Sequence, residues 1–229
     1  MSLRPVPILA AATVLIAACA PAPAPPAATS STTTIHPPPA SAPPHGPVVQ
    51  PVTAAELGTT WHPDCPVPPE YLRRVELDYL GFDNQIHRGA LVVNEALVAD
   101  VIAIFGDLQR QRYPIAKMQT VDHYPKADDE LSMQDNNTSA FNCRPMPSGN
   151  SWSLHAYGRA IDLNPLINPY ITKSGDLQHE AATAYLDRSR TYPGMQYAGD
   201  PAVPVFTDRG WTWGGGWHDP IDYQHFELR

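Results

Sequence analysis

Residues 152–165 read WSLHAYGRAIDLNP, a histidine, a glycine and an aspartate in one short run. Fully extended, the chain would hold His155 and Asp162 about 23 Å apart at ~3.3 Å per residue, too far to share one ion. The segment must fold back on itself. Gly158 permits this, because a residue without Cβ adopts positive φ without a clash. Residues 159–163 then run as a strand on which Ala160, Asp162 and Asn164 share one face while Ile161 and Leu163 point to the core. On this reading His155 and Asp162 are two ligands of a metal site, and the third comes from elsewhere.

The last stretch, residues 210–229, reads GWTWGGGWHDPIDYQHFELR. Its residues 223–228 have the pattern of a final strand, from which His225 faces the same cleft. Two imidazoles and one carboxylate make a catalytic zinc set, with a fourth position left for water. The motif S-x-H-x-x-G-x-A-x-D, from Ser153 to Asp162, followed by D-x-x-H, from Asp222 to His225, resembles the LAS-type zinc peptidases. That superfamily includes D-alanyl-D-alanine carboxypeptidases, vancomycin-resistance D,D-peptidases, L-alanyl-D-glutamate endopeptidases and the hedgehog signalling domain.

The resemblance implies an α+β fold of the hedgehog and D,D-peptidase kind, a small antiparallel sheet with helices on one face and a zinc cleft on the other. It implies Zn²⁺ on His155, Asp162 and His225, and hydrolysis of peptidoglycan stem peptides by a metal-activated water. The W-x-W-G-G and D-x-x-H-F ending looks most like the L-alanyl-D-glutamate endopeptidase branch, with D-alanyl-D-alanine carboxypeptidase the other choice of bond. The alternative is a catalytically inactive zinc-containing module that binds the cell wall, as in the hedgehog relatives. Asp222 stands where the family carries an acidic proton carrier, usually glutamate, with Glu227 and Asp219 in reserve.

A peptidase also needs a donor for the developing oxyanion. Residues 138–144, TSAFNCR, read as a strand with Ala140, Asn142 and Arg144 on one face. Arg144 is the first candidate. Matching Ser139-Ala140-Phe141 to the family's S-G-Y-R strand puts Asn142 at the arginine's place instead, so both stay open. Ser153 bonds backbone or substrate near His155, and His218 is a further candidate donor. His36, His45, His62, His87, His123 and His179 lack such context.

The start of the chain carries an export signal. Residues 1–4 are a short positive start, residues 6–18 an apolar run too short to span a membrane, and small residues follow. The run ends in Ile16-Ala17-Ala18-Cys19, which resembles a bacterial lipobox and makes Cys19 the lipidated N-terminus. The chain is then an exported cell-envelope lipoprotein on the outer face of the cytoplasmic membrane, or secreted if the lipobox is not used. The domains expected are a signal peptide over 1–19, a Pro/Ala/Thr-rich tether over 20–55 and a peptidase domain over 56–229. Residues 20–52 contain no Asp, Glu, Lys or Arg and cannot bury a core.

Lys and Arg number 15 and Asp and Glu 23, a formal net charge of −8. Nucleic acid is thereby disfavoured as a partner, since phosphate backbones demand a basic face. The expected partners are the stem-peptide substrate and, through the lipid, the membrane, with the protein a monomer. With Cys19 lipidated, Cys65 and Cys143 are the remaining pair in an oxidising compartment, which predicts a disulfide between them. A cysteine ligand or nucleophile is the rival reading.

Residues 73–94 alternate around Gly81-Phe82-Asp83-Asn84, which predicts an antiparallel hairpin. Asn94 then caps a helix whose Leu97, Val101, Phe105 and Leu108 recur at helical spacing until Tyr113-Pro114. Residues 115–121 read as a strand and residues 122–137 as a polar loop with one helical turn. Short helices are expected near 180–186 and 201–208, the second closed by Gly210.

Overall fold

The computed structural model describes residues 45–146 and 151–229. The expected signal peptide, Cys19 and most of the tether lie outside the described residues. Val48–Pro51, within the span expected as tether, forms strand β1, paired antiparallel with the segment from Arg73 to Glu76. Helix α1 (Ala54–Leu57) follows, closed at its start by a reciprocal pair of bonds between Thr53 and Glu56.

The hairpin forms as its alternation predicts. Strands β2 (Leu72–Leu80) and β3 (Ile86–Asn94) pair antiparallel along their whole length, from Leu72 opposite Asn94 to Leu80 opposite Ile86. Asn94 then caps the next segment with its side chain on the Ala96 N–H, and helix α2 (Val98–Arg110) lies against β2. Its Val101, Ile104, Phe105 and Leu108 are buried against Val75, Leu77, Leu91 and Val93 of the hairpin, each contributing roughly 1.5–3 kcal/mol relative to exposure.

Beyond α2 the strands are shorter than their patterns suggest. Residues 115–121 keep only β4 (Lys117–Met118). The next backbone groups go to a side chain, since Gln119 exchanges bonds of 2.9 Å with the carboxamide of Asn137. Helix α3 (Asp129–Gln134) replaces the single turn expected in the polar loop, capped by Asp128 on the Leu131 N–H. Strand β5 (Asn137–Thr138) pairs with β4 in parallel. Past it, Ser139 makes one antiparallel bridge with Asp162, and residues 140–144 form no strand, because their N–H groups leave for different elements: Phe141 for Val92, Asn142 for His155 and Cys143 for Thr60.

The rest of the chain builds a second sheet. Strand β6 (Ala160–Asp162) lies beside the strand at the C-terminal end of the chain, with short β7 (Tyr170–Ile171) in the loop that follows. The helix expected near 180–186 is a 3-10 turn over Glu180–Tyr185. Helix α4 (Ala202–Thr207) ends at Gly210, whose φ is +84°. Strand β8 (Thr212–Trp213) precedes β9 (Ile221–Asp222) and β10 (His225–Glu227). The final strand expected over 223–228 is thus shortened to β10, since Tyr223 donates to Pro169 and the Gln224 carbonyl accepts from Leu163.

The class is α+β as expected, with two three-stranded antiparallel sheets, β1-β2-β3 and β6-β10-β8, in place of one small sheet. One core joins them: Ile161, Leu163 and Phe226 pack in the same cluster as α2 and the hairpin, and Phe206 of α4 stacks on Phe226 at 3.8 Å. A second cluster, containing Leu72, Val92 and Phe141, lies under Trp61 and Cys143. There Cys65 and Cys143 form the predicted disulfide, with Cα atoms 5.9 Å apart. Closing a loop of this length stabilises the fold by about 4 kcal/mol in the chain-entropy picture. Among the described residues no helix is long and apolar enough to cross a membrane.

Candidate metal centre

Three elements bring the site together. Ser153 accepts the His155 N–H at 3.3 Å and so opens a 3-10 turn over Leu154–Tyr157. Gly158 reverses the chain with φ +65°, and a Cβ there would lie 2.6 Å from the Asn94 nitrogen. That tight approach lets Asn94 donate to the Gly158 carbonyl at 2.8 Å, anchoring the turn to the end of β3. β6 then carries Asp162 back beside the turn. β10 pairs with it antiparallel, placing His225 directly opposite Asp162.

The three side chains converge. His155 Nε2 is 3.1 Å from Asp162 Oδ2, His225 Nδ1 is 3.0 Å from Asp162 Oδ1, and the two imidazole nitrogens are 3.2 Å apart. The outer nitrogens are already taken: His155 Nδ1 lies 2.5 Å from the Ala140 carbonyl and His225 Nε2 lies 3.3 Å from Glu227 Oε2. An N–H on each outer nitrogen leaves an electron pair on each inner one. Two such pairs and a carboxylate, all buried, face one another and call for a cation or a proton between them.

The electrostatics agree with that geometry. Burial opposes ionisation of Asp162, but His155 and His225 outweigh it and hold the carboxyl far below the usual range. Burial alone would lower the pKa of His225, yet bonds to Asp162 and Glu227 push it up to about 10. Burial raises Asp222 to about 7, helped by the charge of Asp162 and opposed by His225 and Arg144. The Asp222 Oδ1 atom is buried without a hydrogen-bond partner. A donor set of two nitrogens and one oxygen, with both rings oriented from behind, fits a tetrahedral divalent ion.

The centre opens into a cavity of about 440 Å³ whose lining includes Arg144, Trp152, Tyr170, Trp217 and Asp222. Tyr170 of β7 lies opposite Asp222 of β9 in their ladder. Gly214 lets this ladder come close, since a Cβ there would sit 2.6 Å from the Asp222 carbonyl oxygen. The glycine and tryptophan run therefore supports one wall of the cavity, with the Trp217 ring 5.5 Å from that of His225.

The other predicted residues divide. Arg144 lines the cavity, its Nη2 held by Asp129 Oδ2 at 2.8 Å and its Nε buried without a partner. Burial would lower its pKa, but Asp129, Asp162 and Asp222 raise it. Ser153 also lines the cavity, while its hydroxyl serves the turn. Asn142 does not line it: its carboxamide turns to the Ala127 carbonyl and Asp129, at 3.3 and 3.4 Å. His218 is exposed and outside the lining, as is Asp219. Cys65 and Cys143 lie near His62, but the two sulfurs are bonded to each other rather than free as thiolate ligands. Sequence reasoning missed the link from Glu227 to His225 and the hold of Asp129 on Arg144. The shared strand face of residues 225 and 227 was the signal for the first.

Residues 147–228 match the family model described as D-alanyl-D-alanine carboxypeptidase. The match takes in His155, Asp162, Asp222 and His225 and is consistent with the LAS-type peptidases that the two motifs resemble. It supports a peptidase role. No curated protein and no solved structure matches the chain.

Proposed function

We propose that the chain is a zinc-dependent peptidase that hydrolyses peptidoglycan stem peptides at the L-alanyl-D-glutamate or the D-alanyl-D-alanine bond. What carries this is the convergence of His155 Nε2, Asp162 and His225 Nδ1 within 3.2 Å, inside a stretch that matches a peptidase family. When bound, zinc supplies a water acidified toward neutral pH and a Lewis acid for the scissile carbonyl.

The protein's own groups do the rest. His155, Asp162 and His225 would hold the ion, and the Ala140 carbonyl fixes the His155 ring from behind. Asp222 takes the proton of the attacking water and delivers it to the leaving amine. A buried carboxyl with a pKa near 7 is suited to both halves of that transfer. Arg144 directs its unpartnered Nε toward the developing oxyanion while Asp129 restrains the rest of the guanidinium. Trp152, Tyr170 and Trp217 give the peptide an apolar wall. Export and lipidation at Cys19 set the enzyme beside the cell wall.

Mass spectrometry of defined stem peptides incubated with the protein and zinc, in parallel with a chelator, tests this. Chelator-sensitive loss of a terminal D-alanine identifies the carboxypeptidase. Chelator-sensitive release of the rest of the stem from L-alanine identifies the endopeptidase. Stoichiometric zinc without cleavage of either bond overturns the proposal in favour of a binding module.

A further inference from the structure

Glu227 is a carboxylate that the proposed chemistry does not use, and it is buried, with 7% of its surface exposed. It shares a face of β10 with His225, two residues earlier. Both of its oxygens are occupied. Oε2 lies 3.3 Å from His225 Nε2, and Oε1 accepts from Arg229 Nε at 3.0 Å. Its contact with the His225 ring sets Glu227 apart from Asp222, whose Oδ1 has no partner.

We infer that Glu227 is the positioning residue of the metal centre: its carboxylate holds the N–H of His225 on Nε2 and thereby presents the Nδ1 electron pair to the ion. This rests on the zinc reading above. His155 has the equivalent support from a neutral group, the Ala140 carbonyl. The two rings are thus oriented by different means, one by backbone and one by a charged side chain. A carboxylate behind an imidazole also raises the basicity of the nitrogen that binds the metal, and such partners are typically worth about 10- to 100-fold in metal affinity. Arg229 adds little, because its side chain is 85% exposed and such a contact is screened by solvent.

The test is a zinc affinity series on the full chain, read by competition with a chromophoric chelator, together with visible spectra of the cobalt-substituted proteins. Glu227→Leu fills the same buried space without an acceptor, and its zinc Kd is expected to rise about 10- to 100-fold with an altered cobalt d–d spectrum. Glu227→Gln keeps an oxygen for the Nε2 proton and is expected to recover most of the affinity and the native spectrum. Arg229→Ala is expected to stay within about twofold of wild type, as an exposed pair is worth little. A Glu227→Leu protein that binds zinc as tightly as a zinc-binding wild type overturns this inference alone. A wild type that binds no zinc overturns it together with the peptidase reading.

Discussion

His225 stands directly opposite Asp162 in the β6–β10 ladder, with Nδ1 3.0 Å from Oδ1. A ladder, unlike a loop, fixes this approach through backbone bonds on either side. The third donor, His155, comes from a turn fastened separately to the end of β3 through Gly158 and Asn94. The site therefore depends on the seating of one turn against a rigid pair.

Removing a donor should empty the site without unfolding the protein. His155→Ala and His225→Ala are expected to lose stoichiometric zinc, measured by elemental analysis after gel filtration, while the far-ultraviolet spectrum is retained. Full zinc content in either variant would rule that residue out as a ligand.

Asp222→Asn separates binding from turnover. Asp222 is close enough to Asp162 and His225 for their charges to move its pKa, but it is not one of the three converging donors. The variant should keep zinc and lose about 10²- to 10⁴-fold in kcat, the usual worth of a positioned proton carrier. Wild-type turnover would leave the chain without an identified proton carrier.

Arg144 and Asn142 compete for one role in the sequence, and the structure separates them by direction. Arg144→Ala is expected to lower kcat about 10²- to 10³-fold with a smaller change in KM, as loss of an oxyanion donor does. Asn142→Ala should leave kinetics intact and cost about 1–3 kcal/mol of stability, because its carboxamide bonds Ala127 and Asp129 inside the protein. Reversed outcomes in urea melts and steady-state kinetics would return the oxyanion role to Asn142.

What could be read from the sequence was what depended on nearby residues. The hairpin around Gly81 and the helix after Asn94 announce themselves by period and cap, and His155, Gly158 and Asp162 form one contiguous device. The path of residues 139–144 did not, because their backbone partners come from three separate parts of the chain, around Thr60, Val92 and residues 155–162. Alternation placed Asn142 and Arg144 on one face, a rule that holds within a ladder and fails where no ladder exists. The edge strand β1 was hidden for another reason: Val48–Pro51 is exposed on every residue, so its composition continues that of the tether.

The Cys65–Cys143 bridge fastens the segment around Trp61 to the residue preceding Arg144. Cys65→Ser with Cys143→Ser is expected to lower stability by up to about 4 kcal/mol through the freed loop. Arg144 remains tied to Asp129, so zinc content should be unchanged. A double variant that melts like wild type in denaturant would show that the loop closure contributes nothing.

Zinc should protect the protein more strongly as pH rises. In metal-free protein the His225 pKa is raised to about 10, against an ordinary histidine value of about 6.5. The folded state then binds that proton more tightly than the unfolded chain does. The resulting stability is complete below the ordinary value and is lost as pH climbs toward about 10. Asp222, raised to about 7 by burial, acts with the same sign over a lower window, its contribution fading as pH rises through about 7. Zinc must displace the His225 proton, so between these limits its apparent affinity should rise about tenfold per pH unit. Asp162 is already ionised and releases none. Calorimetric titration at pH 7.5 in two buffers of different ionisation enthalpy should therefore show about one proton released per zinc from His225. The zinc-induced increase in Tm should be larger at pH 9 than at pH 6.5. An increase independent of pH would mean that His225 does not hold its proton against the metal.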